Sequence, residues 1–157
     1  MNEQALKHLI SQGLGALKAG GEIGSQAAGD LENDVRDPQL KQLLQQGSQQ
    51  AQMWTTRIDR ALQEVGGGEQ DNPVVKALYE VGKRIRAQAP DDFSRDLGII
   101  ADSQLALHYW VAAFGTMRAY AKRAGLNQTE QEMGQCLQEA EQRDKQLTDV
   151  AIKIMGG

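Results

Sequence analysis

Few residues in this chain are equipped to do chemistry. There are two histidines, His8 and His108, one cysteine, Cys136, and carboxylates scattered along the whole length. Nucleophilic catalysis wants a Ser or Cys beside a base that a third group orients, and no Ser–His–Asp set is spaced for that. No zinc-ligand spacing occurs, nor a glycine-rich phosphate loop following a strand. Glu139 and Asp144 lie on neighbouring turns of a helical stretch, but carboxylates five apart do not share a face. They are not expected to form an acid–base dyad. Cys136 sits in an apolar helical context and is expected to be a small packed residue rather than a nucleophile. As the only cysteine it forms no intramolecular disulfide, which fits a reducing compartment.

The elements that would position such groups are helices. Ala, Gln, Leu, Glu, Lys and Arg fill long tracts, and these are good helix formers. Prolines stand only at 38, 73 and 90, and no stretch alternates as a half-buried strand does. Aromatics make up only 4% of the chain, so the core must be built from aliphatic residues. The formal net charge is −4, and the small basic clusters (Lys83, Arg84 and Arg86; Lys122 and Arg123) are flanked by acids. That argues against binding nucleic acid through its phosphates, which wants a basic patch. The first twenty residues lack the basic and apolar regions of a secretory signal. No run reaches the ~18 apolar residues of a membrane span. A cytoplasmic protein is expected.

Taken in order, a first helix runs from about Asn2 to Asn33. Leu6, Leu9, Ile10, Leu14 and Leu17 make its apolar stripe. Ala16, Gly20, Gly24 and Ala28 are spaced four apart and share a face, so something beside this face needs room. Each interior glycine costs a helix roughly 0.5–1 kcal/mol relative to alanine. With no proline nearby, the helix is expected to be continuous. Asp37-Pro38 is an N-cap followed by a proline at the first helical position, and a second helix follows to about Val65. Its stripe runs from Leu40 through Gly47, Ala51 and Trp54 to Val65, narrowing midway. Gly66-Gly67-Gly68 ends it. Asn72-Pro73 opens a short helix to about Gln88. A third long helix spans about Asp92 to Ala124, with Leu97, Ile100, Gln104, Leu107, Val111, Phe114 and Met117 inward and Trp110 and Ala121 widening the stripe. Asn127 or Thr129 caps a last helix to about Met155, whose stripe carries one polar residue, Asp144. A lone Asp there is expected to be hydrogen-bonded structure. Four long helices with a short one at the middle crossover predict one all-α domain over 1–157, a ferritin-like four-helix bundle.

The stretch from Asp96 to Gly125 contains Gln104, His108-Tyr109, Ala112-Ala113 and Phe114-Gly115-Thr116. It resembles the third bundle helix of the YciE/YciF-type ferritin-like family, which reads Gln-x-x-Glu-His-Tyr-Glu-Ile-Ala-x-Tyr-Gly-Thr. Leu137-Gln138-Glu139, Asp144, Leu147-Thr148 and Ala151 resemble its fourth helix, and Asp37-Pro38-x-Leu40 the start of its second. The resemblance covers nearly the whole chain and implies a bundle able to hold a two-metal carboxylate site. Iron or manganese ions in such a site take oxygen and imidazole ligands from all four helices.

This chain departs from that pattern at the ligand positions. The two family glutamates of the third helix fall on Leu107 and Trp110, and the second-helix histidine on Gly47. The first-helix glutamate falls on Gly21, with Glu22 one residue away. In the fourth helix one of two adjacent glutamates falls on Ala140, while Glu139 survives. The expectation is therefore that no cofactor is held, with Trp110 and Leu107 filling the former metal cavity and Gly21, Gly24 and Gly47 making space for the indole. The weak metal remnants are Glu22, His108 and Glu139. His108 adjoins a former ligand position and would point some 100° away from it.

The function expected first is a non-enzymatic structural or interaction protein in a stress-related bacterial setting, pairing with itself as a homodimer or with another protein. The alternative is a residual iron- or manganese-binding or peroxide-handling protein. A third reading is a small-molecule binder with an apolar pocket between the glycine face and Trp110 or Trp54.

Overall fold

A computed structural model describes residues 2–68 and 70–157. Among them are five helices: α1 Glu3–Asp34, α2 Pro38–Val65, α3 Pro73–Gln88, α4 Asp92–Ala124 and α5 Asn127–Ile154, with no strand. α1 is unbroken through its glycines. The caps explain most boundaries. Asn2, Asp37, Asn72 and Asp91 each accept a backbone N–H in the first turn of the helix that follows, satisfying a donor that lacks a partner within the helix. Gly66 and Gly125 close α2 and α4 at positive φ, 77° and 69°, which glycine adopts without steric cost.

The long helices form a ring in which α1 packs on α2 and α4, and α5 on α2 and α4. The short link at 35–37 and the turn at Gly125 make α1/α2 and α4/α5 antiparallel hairpins. α1 and α4 also run antiparallel, since Gly13 faces Met117, Gly24 faces Trp110 and Arg36 reaches Asp96. α2 and α4 are therefore parallel, and the chain must return along the bundle between them. α3 makes that return. It rides outside the ring on α1 and α4, from Asn72 beside Ala16 to Arg86 beside Asp34. This is the ferritin-like arrangement. No helix among the described residues is long and apolar enough to cross a membrane.

Two carboxylates lock the ends of the bundle across helices. Asp96, only 3% exposed, accepts from the backbone N–H groups of Arg36 at 3.1 Å and Asp37 at 2.7 Å. It thereby holds the α1–α2 corner against α4. At the other end, Glu64 accepts from the Gln128 and Thr129 backbone at 3.3 and 2.6 Å and from Thr129 Oγ1 at 2.7 Å. The sequence expectation of a local cap from Asn127 or Thr129 differs from this. Leu126 precedes α5 without a side-chain cap, and α2 supplies the carboxylate instead, where it also complements the helix dipole. Asp96→Ala leaves two backbone donors without partners. It should cost about 1–3 kcal/mol in urea unfolding.

The inner face of α4 runs through Asp96, Ile100, Leu107, Trp110, Phe114, Met117 and Ala121. Relative to the sequence reading, Trp110 is central and Val111 only half-buried. α4 touches α1, α3 and α5, so its buried surface is broader than one stripe.

Candidate functional site

Four of the chain's few aromatic residues meet at the bundle centre. Trp110 stacks on Phe114, with ring centroids 5.5 Å apart and planes 25° apart. Trp54 from α2 meets Phe114 edge-on at 5.3 Å and tilts toward Trp110 at 6.4 Å. Tyr109 closes on Trp110 edge-on at 5.2 Å. These are the offset and edge-to-face geometries that ring quadrupoles favour. Trp110 is 9% exposed. Its indole lies against Gly20 and Gly24. A Cβ added at Gly20 would sit 3.1 Å from Trp110 Cη2, 3.1 Å from Val75 Cγ2 and 2.6 Å from Asn72 Nδ2. Gly20 is thus glycine because three side chains approach its backbone. Asn72 is buried and joins the parts: its Oδ1 caps α3, while its Nδ2 donates to the Ala16 carbonyl and to Tyr109 Oη, both at 2.8 Å.

Below this cluster, Glu139 receives hydrogen bonds from Arg57 Nη1 at 2.6 Å, Trp54 Nε1 at 2.8 Å and Gln135 Nε2 at 3.2 Å. Burial alone would raise its carboxyl. The donors outweigh burial and hold it below the usual carboxylate range. Arg57 also reaches Glu132 at 3.8 Å, and Glu132 pairs with Arg60. Cys136 is fully buried beside this network. Burial pushes its thiol up to about 12, against the opposing pull of Arg57. At neutral pH almost no thiolate forms, and the thiolate is the reactive species. A thiol reagent such as DTNB should therefore react with Cys136 at least ~100-fold faster in denaturant than in buffer.

Next to the aromatic cluster a cavity of about 180 Å³ remains. Its origin is in the sequence. The buried stripe of α1 lapses between Gly20 and Leu31, and that of α2 between Leu43 and Trp54. Both gaps carry small residues, Gly21, Gly24, Ala27 and Ala28 on one side and Gly47, Ser48 and Ala51 on the other, and all line the space. Trp54, Trp110, Leu107 and Leu147 form its apolar floor, α3 roofs it with Val75, Leu78 and Tyr79, and Arg143 and Asp102 add charge to the wall.

The chain matches the family described as "Domain of unknown function (DUF892)" over residues 23–156. It belongs to the DUF892 family. No curated protein matches it. Solved structures sharing its fold include the following two. One is the Escherichia coli stress protein YciF, at TM-score 0.90 and 20% identity, covering 96% of each chain. The other is YcfI of Rhodopseudomonas palustris, proposed to be a structural protein, at TM-score 0.88 and 20% identity, covering 91% of this chain and 92% of that one.

The donor set of this DUF892 chain does not fit the two-metal centre that the YciE/YciF resemblance implies. Glu22 is exposed. His108 is 69% exposed and points to Asp144 Oδ2 at 3.3 Å, on the α4–α5 surface. Glu139 is held by an arginine. Among the described residues no group of three or more His, Cys, Asp or Glu is placed to hold a metal ion. The structure thus brings His108 to Asp144, and leaves Glu22 and Glu139 without those partners.

Leu107, Trp110 and Ala140 are all buried. Of the three glycines expected to flank the indole, Gly24 does so, and Gly21 and Gly47 do not. A Cβ at Gly21 would meet Thr55 Oγ1 at 3.2 Å, and one at Gly47 would meet Arg143 Nε at 3.8 Å. Gly20 joins Gly24 beside Trp110 in place of Gly21, because α1 presents the four-spaced face to α4 and turns Gly21 toward α2. Sequence reasoning passed over Arg57, Asp102 and Arg143, and read Asn72 only as the start of α3 before a proline. The arginines resembled solvated helix charges, and only the tertiary fold turns them inward.

Proposed function

We propose that this chain is a non-enzymatic DUF892 bundle in which side-chain packing and an arginine–glutamate pair stand where ferritin-like relatives can hold metal. It serves as a structural or interaction protein in a stress setting. The observation that carries this reading is the engagement of Glu139 by Arg57 and Trp54 at 2.6 and 2.8 Å. A carboxylate neutralised by a guanidinium is a poor ligand for a divalent ion, and a buried ion pair of metals needs several free carboxylates. The stress setting is supported by the fold shared with the stress protein YciF, and the structural role by that shared with YcfI. A protein partner, a second copy included, is supported by the family resemblance, and light scattering on the purified chain reads it directly.

The test of the metal-independent centre is metal content. Protein purified without chelator should carry far less than one iron or manganese per chain, and adding Fe(II) or Mn(II) should leave Tm unchanged. Stoichiometric metal with a raised Tm would overturn the reading, because a ligand of the native state stabilises it.

A further inference from the structure

We propose that the central cavity is a binding site for a small apolar monocarboxylate, its hydrocarbon body between Trp54 and Trp110 and its carboxylate on Arg143. This goes beyond a structural role and rests on separate observations. The first is size. The cavity measures about 180 Å³, and a cavity of about 150 Å³ lined by apolar side chains holds one benzene. A single ring or a short acyl chain matches that space. The second is the wall, apolar over most of its area, with two indoles able to lie against a flat or flexible hydrocarbon.

The third is charge. Arg86, Asp102 and Arg143 are the charged residues of the wall. Arg86 is committed to Asp34 at 2.9 Å. Asp102 packs under α3 against Gly82, where burial pushes its carboxyl up and Arg86 opposes the shift. Arg143 is half-buried, and its hydrogen-bond partners among the described residues are neutral, the Leu43 carbonyl at 3.0 Å and Gln50 Oε1 at 3.0 and 3.3 Å. Its fork therefore keeps N–H groups for a further acceptor, and burial pushes its pKa down against the Coulombic pull of Glu139, a carboxylate already engaged by Arg57. A ligand carboxylate supplies that acceptor with charge-assisted hydrogen bonds. Asp102 Oδ1 and Ser103 Oγ are buried in the same lining with no hydrogen-bond partner among the described residues, a second polar station inside the cavity.

The experiment titrates the full chain with phenylacetate, hexanoate and phenylacetamide, reading tryptophan fluorescence and calorimetric heat. Phenylacetate and hexanoate should bind, phenylacetate at least about tenfold more tightly than the amide. Arg143→Gln should remove that preference and leave amide binding in place. Ala51→Leu should block all three. Should that variant fold poorly, Gly24→Ala serves the same purpose, since its Cβ would lie 3.9 Å from Trp110 Cζ2 and clash with nothing, and it should weaken binding several-fold. No binding of either acid overturns the proposal. So does an amide that binds as tightly as the acid, or acid binding that neither filling variant affects. Metal content bears only on the metal-independent centre, so the two readings fail independently.

Discussion

Replacing Trp110 by alanine lowers the free energy of unfolding by about 3–5 kcal/mol. Trp110 is the hub of the aromatic cluster: it stacks on Phe114, takes Tyr109 edge-on and tilts against Trp54. Each such ring pair contributes about 0.5–1.5 kcal/mol beyond the burial of its area. The surroundings are poorly able to close over the space left behind. Gly20 and Gly24 have no side chains to move inward, and the adjoining cavity of about 180 Å³ would merge with the new one. The cost of a cavity grows with the volume that fails to collapse, so the upper half of the range is expected. Trp110→Phe keeps the stack on Phe114 and should lose less than half as much. Far-UV circular dichroism during urea unfolding measures both variants without relying on indole fluorescence. A loss below about 1 kcal/mol for the alanine variant would mean that Trp110 does not hold the centre together.

The second large effect is expected at Arg57. Its side chain is 12% exposed and that of Glu139 17%, so the pair is mostly out of water. Removing one partner of a buried pair leaves the other charged and unmatched, which costs about 3–5 kcal/mol. With some solvent access left, Arg57→Met should cost about 3 kcal/mol at neutral pH, the lower end of that range. The sign of the pH dependence separates a lost charge partner from lost packing. In the native chain the hydrogen bonds from Arg57, Trp54 and Gln135 outweigh burial and hold Glu139 below its ordinary value. Its contribution to stability is therefore complete above the unfolded-state pKa and is lost as pH falls through the folded one. In the variant the hydrogen bond and charge of Arg57 are gone, so the folded pKa of Glu139 rises relative to the native chain and less stability is lost on its protonation. The stability gap between the two proteins should thus narrow as pH falls below about 5. Adding Glu139→Gln to Arg57→Met should recover part of the loss at pH 7. A gap that stays constant from pH 7 to pH 4 would assign the whole effect to packing of the arginine stem.

The candidate site was partly legible in the sequence. The four-residue spacing of Ala16, Gly20, Gly24 and Ala28 announced a need for room beside α1, and the narrowing of α2 at Gly47 and Ala51 lies at the same level. Both signals are local, because helical periodicity puts such residues on one face whatever the neighbour is. Which neighbour uses the room is a matter of helix rotation within the bundle. A residue turns about 100° from the next, so Gly20 meets the indole while Gly21 meets Thr55. The same one-step difference sends His108 to the surface and Leu107 to the core.

Capping divides in the same way. Asp37, Asn72 and Asp91 cap helices that begin within three residues of them, and such caps are readable in the chain. Glu64 caps α5 from 65 residues away, and Asp96 holds the α1–α2 corner from 59 and 60. No local rule reaches that far.

The sequence by itself determined the helices, their ends, the crossover and the ferritin-like order, because these follow from short-range propensity, apolar period and loop length. It also marked Leu107 and Trp110 as residues at variance with a metal centre. Only the tertiary structure decided what occupies that centre. Pairing Arg57 with Glu139, giving Arg143 neutral hydrogen-bond partners and keeping a cavity between two thinned helices are properties of how five helices are rotated against one another. That rotation is set by the sum of many packing contacts, and no single stretch of chain encodes it.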